Sequence, residues 1–180
     1  MVRYARERAP RWLRRWCPNE YVGSITEITP ESLQALGIRA LLLDLDNTLT
    51  PWRSREVPPH VQAWVRQMQA AGIALCFVSN TRNRARLQWL SEHLGIPYVR
   101  GPMKPRREML RRALEKLGVP REHAAIVGDQ LFTDIWGGNR LGLYTIWVQP
   151  MHPREFIGTK ISRMVERWIL HQIEPYRVKE

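Results

Sequence analysis

The 180-residue chain has the length of one ordinary domain, and its apolar content of 44% with 25% charged residues is typical of a globular protein with a buried core. It contains no run of about 18 apolar residues, so we expect no transmembrane helix, and no apolar stretch follows the basic N-terminus as a secretory signal would require. The formal net charge of +11 favours an anionic partner.

The positive charge is dense at the N-terminus. Residues 1–16 contain six arginines and one glutamate, interleaved with Trp12, Leu13 and Trp16. The basic residues favour an anionic partner, either a membrane surface or nucleic acid, and the interleaved aromatic residues suit an anionic lipid interface. Two alternatives remain: the segment packs on the domain, or the charge is compositional, because only four of the 28 basic residues are lysine. We therefore divide the chain into a basic, aromatic N-terminal segment (1–20) and a single domain (21–180).

Apolar runs alternate along the rest of the chain with amphipathic segments. The strand candidates, in chain order, are 38–46, 73–80, 96–101, 123–130 and 143–149, and the helix candidates are 58–72, 83–95, 104–118, 132–142 and 155–173. Near-continuous apolar strands alternating with helices predict an α/β fold, a three-layer Rossmann-like sandwich with a mainly parallel sheet of about five strands.

The two cysteines give no sign of a disulfide framework or a zinc site. Cys17 and Cys76 are far apart in the chain, and Cys76 lies within an apolar run. We expect both to be reduced thiols in a cytoplasmic protein.

Polar side chains follow four of the predicted strands. In an open parallel sheet, ligands bind at the carboxyl ends of the strands, so these side chains should converge. They are Asp44 and Asp46 after the first strand, Ser79 and Asn80 after the second, Lys104 after the third, and Asp129 with Asp134 after the fourth.

This combination of residue types suits phosphoryl transfer. Several carboxylates in one place require a cation, and Mg²⁺ prefers carboxylate, water and substrate oxygens. One aspartate can then attack phosphorus, and a second aspartate two residues on can protonate the leaving alkoxide. A hydroxyl, an amide and a lysine can bind the phosphoryl oxygens. The sequence therefore predicts a Mg²⁺-dependent phosphatase.

The same residues resemble the four motifs of the haloacid dehalogenase-like (HAD) phosphatases. Residues 44–48 match D-x-D-x-T, and the remaining motif residues follow in order at suitable spacings. The resemblance implies the following roles: Asp44 as nucleophile and metal ligand, Asp46 as general acid/base and metal ligand (with a backbone carbonyl also on the metal), Asp129 as metal ligand, Ser79, Asn80 and Lys104 as phosphate-binding residues, and Thr48 and Asp134 as supporting residues.

Some of these residues have simpler explanations. Thr48 can tighten the turn after the strand. Asp134 can be a carboxylate stabilised at a helix N-terminus, whereas a solvated Lys104 at a helix start would be unfavourable there. Asn80 can serve only to shape its loop.

The spacing between motifs leaves no room for an inserted cap domain. Residues 50–79 hold one loop and one helix, and residues 79–104 hold one helix and one short strand. An uncapped site is open, so the phosphate-bearing molecule can be large.

Residues 17–52 and 128–150 more closely resemble the YqeG-type HAD phosphatases (subfamily IIIA), which are similar to phosphatidylglycerophosphate phosphatases. That resemblance implies hydrolysis of a lipid phosphate in phospholipid biosynthesis, at the inner face of a membrane. The last helix fits, because basic residues lie beside its apolar side, although a packing role explains that side equally well. Its apolar residues are Ile157, Ile161, Met164, Val165, Trp168 and Ile169.

Other functions remain open at this stage. The same chemistry could act on a nucleic acid end, a phosphoprotein or a soluble phosphate ester. A non-catalytic binding module is less favoured, because such a module needs no nucleophile. The sequence does not indicate an oligomeric state.

Overall fold

The structure is a computed structural model that describes residues 1–101, 107–151 and 158–178; in the last range, the side chains of 158–163 and 166 are outside the description. The described strands form one seven-stranded sheet in the order β1-β2-β7-β6-β3-β4-β5. β1 pairs antiparallel with β2, and every other neighbouring pair is parallel. The strands are β1 (Val2–Arg3), β2 (Glu20–Val22), β3 (Ala40–Leu43), β4 (Ala74–Ser79), β5 (Tyr98–Arg100), β6 (Ala124–Gly128) and β7 (Tyr144–Val148).

Helices cover both faces of this sheet, which confirms the predicted α/β fold. The helices are α1 (Arg11–Arg14), α2 (Pro30–Ala35), α3 (Pro59–Ala70), α4 (Arg84–Leu94), α5 (Arg107–Leu117), α6 (Trp136–Leu141) and α7 (Gly158–Ile173). The predicted start of the third helix, at 104, lies outside the described residues. Within the described ranges, no helix is both long enough and apolar enough to cross a bilayer.

The strands are apolar throughout because both of their faces are buried. Leu41 and Leu43 belong to a core cluster with α3 and α4, whereas Leu42, between them, belongs to a second cluster with α5. Successive side chains of a strand point to opposite faces, so a strand covered on both sides needs an uninterrupted apolar run.

The sheet is larger than the predicted five strands, because β1 and β2 are absent from the sequence prediction. They contain two and three residues, too few for a hydrophobic period to be recognised. β2 also carries the buried Glu20, whose carboxylate accepts a hydrogen bond from Arg3 Nε at 2.8 Å. A buried charge within a strand hides the apolar pattern that would have indicated it.

The N-terminal residues pack against the sheet. Tyr4 and Leu13 are buried in a third core cluster that includes Trp147 and Ile169. The side-chain amide of Asn139 in α6 donates hydrogen bonds to the carbonyl oxygens of residues 14, 15 and 17, at 2.9–3.3 Å. This amide thereby provides donors for carbonyl groups at the end of α1 and just after it.

The parallel strands direct their carboxyl ends to one edge of the sheet, and the loops after β3, β4 and β6 lie there. In the described chain, one loop and α3 connect β3 to β4, and α4 connects β4 to β5. No separate cap stands over this edge among the described residues.

Candidate active site

Three buried aspartates converge at the carboxyl edge of the sheet. Asp44 follows β3, Asp129 follows β6, and Asp134 lies one turn later; each offers a carboxylate oxygen within 4.8 Å of the others. They are 5%, 1% and 0% exposed, respectively. Three negative charges so close together in a buried place require a counter-charge. Because the donor set is entirely hard oxygen, it fits a small divalent cation such as Mg²⁺.

A single turn of π-helix, Leu131–Ile135, brings Asp134 to this cluster just before α6 begins. The backbone N–H of Gln130 donates to Asp134 Oδ2 at 3.2 Å. The carboxyl group of Asp134 lies against Gly128, at a place where the Cβ of any other residue would collide with it. Position 128 therefore needs glycine for close approach, although the residue itself is in a regular strand.

Trp147 supports the loop that carries Asp129. Its indole Nε1 donates to the backbone carbonyl oxygen of Asp129 at 2.9 Å, and its ring is buried. Nothing in the sequence specifies this hydrogen bond, because it joins adjacent strands at a register known only from the sheet.

The carboxylate of Asp46 lies outside the cluster and has different partners. Its Oδ1 accepts from the backbone N–H of Arg53 at 2.9 Å and lies 3.0 Å from Nη1 of Arg86. The chain turns sharply just after Asp46, where Asn47 adopts a φ of 62°. Asp46 therefore differs from Asp44 in orientation and in charge environment, although both come from the same motif.

Arg86 is the functional candidate that sequence reasoning missed. It lies in the first turn of α4 and is only 2% exposed. In the sequence it is one of several arginines in an amphipathic helix, where a solvated charge is the ordinary expectation. The available signal was its closeness to Ser79 in the chain.

The other predicted residues differ in their surroundings. Ser79 is buried at the end of β4, and its Oγ accepts from the backbone N–H of Thr81 at 3.2 Å, whereas Asn80 is exposed. Thr48 is fully buried in the loop after β3, and its hydroxyl makes no hydrogen bond to the described residues. Lys104 lies outside the described residues.

Comparison with known proteins agrees with this fold. The HAD-hydrolase-like family matches residues 102–150. A "Probable phosphatase YqeG" of Bacillus subtilis is 38% identical over 157 residues, which cover 87% of this chain and 91% of that protein. "Phosphatidylglycerophosphate phosphatase 1, chloroplastic" of Chlamydomonas reinhardtii is 29% identical over 88% of this chain and 64% of that protein. The crystal structure of an uncharacterized Listeria monocytogenes protein superposes with a TM-score of 0.54 at 17% identity, covering 66% of this chain and 85% of that one.

The parallel sheet and the carboxylate cluster at its carboxyl edge are consistent with a HAD-like hydrolase. With these relatives, the chain belongs to the YqeG-type phosphatases of the HAD superfamily. Its reaction class is accordingly phosphoric monoester hydrolysis.

Proposed function

We propose that the protein is a Mg²⁺-dependent phosphatase that works through an aspartyl-phosphate on Asp44 and acts on phosphatidylglycerophosphate. The observation that carries the proposal is the buried cluster of Asp44, Asp129 and Asp134 at the open edge of the sheet. Carboxylate oxygens gathered at one place are the ligands that a hard divalent cation such as Mg²⁺ prefers.

Asp44, Asp129 and Asp134 would hold the metal, and Asp46 would contribute its backbone carbonyl. When bound, Mg²⁺ offsets the carboxylate charge and polarises the phosphoryl group for attack. Asp134 then has a more direct role than the supporting one expected from the sequence.

The protein residues divide the reaction into two steps. The Asp44 carboxylate attacks phosphorus, the ester P–O bond breaks, and Asp46 donates a proton to the leaving alkoxide. Water then attacks the phosphorus of the aspartyl-phosphate while Asp46 accepts its proton, which releases inorganic phosphate and regenerates Asp44. Ser79 and Lys104 bind phosphoryl oxygens in both steps.

The substrate assignment draws on the Chlamydomonas relative and on the open edge of the site. That relative is named as a phosphatidylglycerophosphate phosphatase and aligns with 88% of this chain. Because no cap covers the edge in the described chain, a headgroup phosphate could enter while the rest of the lipid stays outside.

Phosphate release from purified phosphatidylglycerophosphate tests the proposal, alongside glycerol phosphate, a 5′-phosphorylated oligonucleotide and a phosphopeptide. We expect Mg²⁺-dependent release with the lipid as the preferred substrate, and Asp44→Asn should abolish it while the thermal unfolding curve remains cooperative. Preference for another ester would refute the substrate, and turnover by Asp44→Asn would refute the covalent mechanism.

We further propose that an exposed apolar surface places the protein on an anionic membrane. Trp12 of α1 stacks on Trp168 of α7, with ring centroids 6.0 Å apart, yet the two side chains are 44% and 53% exposed. Met164 and Val165 of α7 are exposed beside them in the same helix. We call these four residues the tryptophan patch.

The charge around the patch favours a negatively charged surface. Arg11 and Arg15 lie exposed in or next to α1, and Arg167 lies exposed next to Trp168 in α7. Exposed tryptophans beside arginines are suited to the headgroup region of an anionic bilayer, where the ring is half immersed and the cation meets lipid phosphate.

Sedimentation with phosphatidylglycerol vesicles, with phosphatidylcholine vesicles as reference, measures this contact. Trp12→Ala combined with Trp168→Ala should weaken binding to the anionic vesicles roughly tenfold or more. Trp89→Ala is the matched control, because Trp89 is 38% exposed but lies on α4. Equal losses for the two variants would contradict the assignment, as would a wild-type protein that ignores lipid charge.

A further inference from the structure

We propose that Arg86 is a positioning residue that holds Asp46 in place for proton transfer to the leaving group. This inference depends on the proposed function, since it assigns Arg86 a part in that reaction. Arg86 belongs to α4, which follows the Ser79 loop, whereas Asp46 belongs to the loop after β3. Arg86 therefore connects α4 to the loop after β3 and contacts a residue 40 positions away in the chain.

All three nitrogens of the guanidinium group are used. Nη1 lies 3.0 Å from Asp46 Oδ1 and donates to Oδ2 at 3.2 Å, Nη2 donates to Thr50 Oγ1 at 2.7 Å, and Nε donates to the carbonyl oxygen of Ser54 at 2.6 Å. Because the planar guanidinium group is hydrogen-bonded through all three nitrogens, its orientation is fixed. It therefore also fixes the orientation of the Asp46 carboxylate.

The backbone of α4 also fixes Arg86 at its base. The N-cap residue Asn83 accepts a hydrogen bond from the backbone N–H of Arg86 at 2.9 Å, and the Arg86 side chain is buried against the loop. Asp46 is partly exposed, at 23%, so its carboxylate remains accessible from the open edge. The arrangement combines a rigid, buried cation with an accessible acid.

The alternative is that Arg86 only stabilises the loop through Thr50 and Ser54. Loop stabilisation and positioning of Asp46 predict different results when Arg86 is replaced. Only the positioning role predicts that the loss of activity depends on the leaving group. A general acid matters for a poorly leaving alkoxide and matters little for p-nitrophenolate, which departs readily without a proton. A disordered loop would impair both substrates.

The experiment compares kcat/KM for glycerol phosphate and p-nitrophenyl phosphate, because this constant reports the step that forms the aspartyl-phosphate. Arg86→Gln and Arg86→Lys should lower the value for glycerol phosphate about tenfold to hundredfold. The value for p-nitrophenyl phosphate should stay within about threefold of wild type. Arg84→Gln, an exposed site on the same helix, is the control for lost charge.

Two further variants guard against misfolding and test the route through Asp46. Thr50→Val removes one anchor of Arg86 while keeping the ion pair, and it should give a smaller loss in the same direction. In an Asp46→Asn background, Arg86→Lys should cause no additional loss on glycerol phosphate, because the acid is already gone. Equal losses on both esters, or additive losses in the double variant, would overturn the inference. An inactive wild-type protein would instead refute the proposed function.

Discussion

Because Gly128 lies against the Asp134 carboxyl group, position 128 has no room for a side chain. Gly128→Ala should push the Asp134 carboxyl group away from Asp44 and Asp129, because the new Cβ would occupy its place. We expect a loss of about 1–3 kcal/mol in the free energy of unfolding, and a fall in turnover on the order of 100-fold. Urea denaturation and a phosphate-release assay measure the two effects.

Gly118→Ala is the control for this substitution. Gly118 has a φ of +63°, and a Cβ there would meet nothing within 4 Å. It should cost about 1 kcal/mol in backbone strain and leave turnover unchanged. If Gly128→Ala behaves in the same way, its contact with Asp134 has no role in the site.

The site residues that the sequence made recognisable are those that follow apolar strands. Asp44 and Asp129 could be placed because a buried strand directly precedes each, and parallel strands end at one edge. Arg86 and Trp147 could not be placed in the same way. Arg86 donates hydrogen bonds to residues more than 30 positions away, and Trp147 donates one across a strand register that only the folded sheet defines.

At the level of elements, two neighbouring residues of the short helix α1 have opposite environments, one buried and one exposed. Leu13 is 1% exposed and Trp12 is 44% exposed. Leu13→Ala should lower the free energy of unfolding by about 2–5 kcal/mol, because it leaves a cavity next to α7 and the Leu131–Ile135 turn. Trp12→Ala should change it by less than about 1 kcal/mol.

Denaturant titration of the two variants provides the measurement. Similar stabilities for both would mean that the N-terminal residues do not pack as described. The comparison also guides the vesicle experiment. Replacing Trp12 should preserve the fold, whereas removing residues 1–16 would remove Tyr4 and Leu13 from the core.

The elements that the sequence predicted well are the five apolar strands and the helices between them. The strands are continuous apolar runs, and the helices are long enough to show an amphipathic pattern. β1 and β2 were missed for the opposite reason, because strands of two and three residues are too short for a hydrophobic pattern to be recognised. α7 was predicted with one apolar side, yet Ile169 is buried while Met164 and Trp168 are exposed. Periodicity identifies an apolar side but does not state what covers it.

At the scale of the whole molecule, the reactivity of the two cysteines measures whether the core is folded. Both are buried free thiols, and burial raises the pKa of Cys17 to about 12 and that of Cys76 to about 11. The thiolate is the reactive form, so native protein at pH 8 should react with iodoacetamide far more slowly than a free thiol.

Mass spectrometry after timed alkylation checks this expectation. Unfolding in guanidinium chloride should restore rapid modification of both residues, because exposure returns each pKa towards its ordinary value. Since the folded pKa values are raised, this protection is present at neutral pH and should weaken as the pH rises towards 11. Rapid labelling of the native protein at pH 8 would show that Cys17 or Cys76 is accessible.

The open carboxyl edge of the sheet affects how such an enzyme would discriminate among phosphate esters. If the cap-free edge seen in the described residues is the whole entrance to the site, the protein would contact little of the substrate beyond its phosphoryl group, and selectivity would come from local concentration. Confinement to a surface would replace a search through volume with a search in two dimensions. The choice of substrate would then be governed as much by where the enzyme resides as by the shape of its pocket.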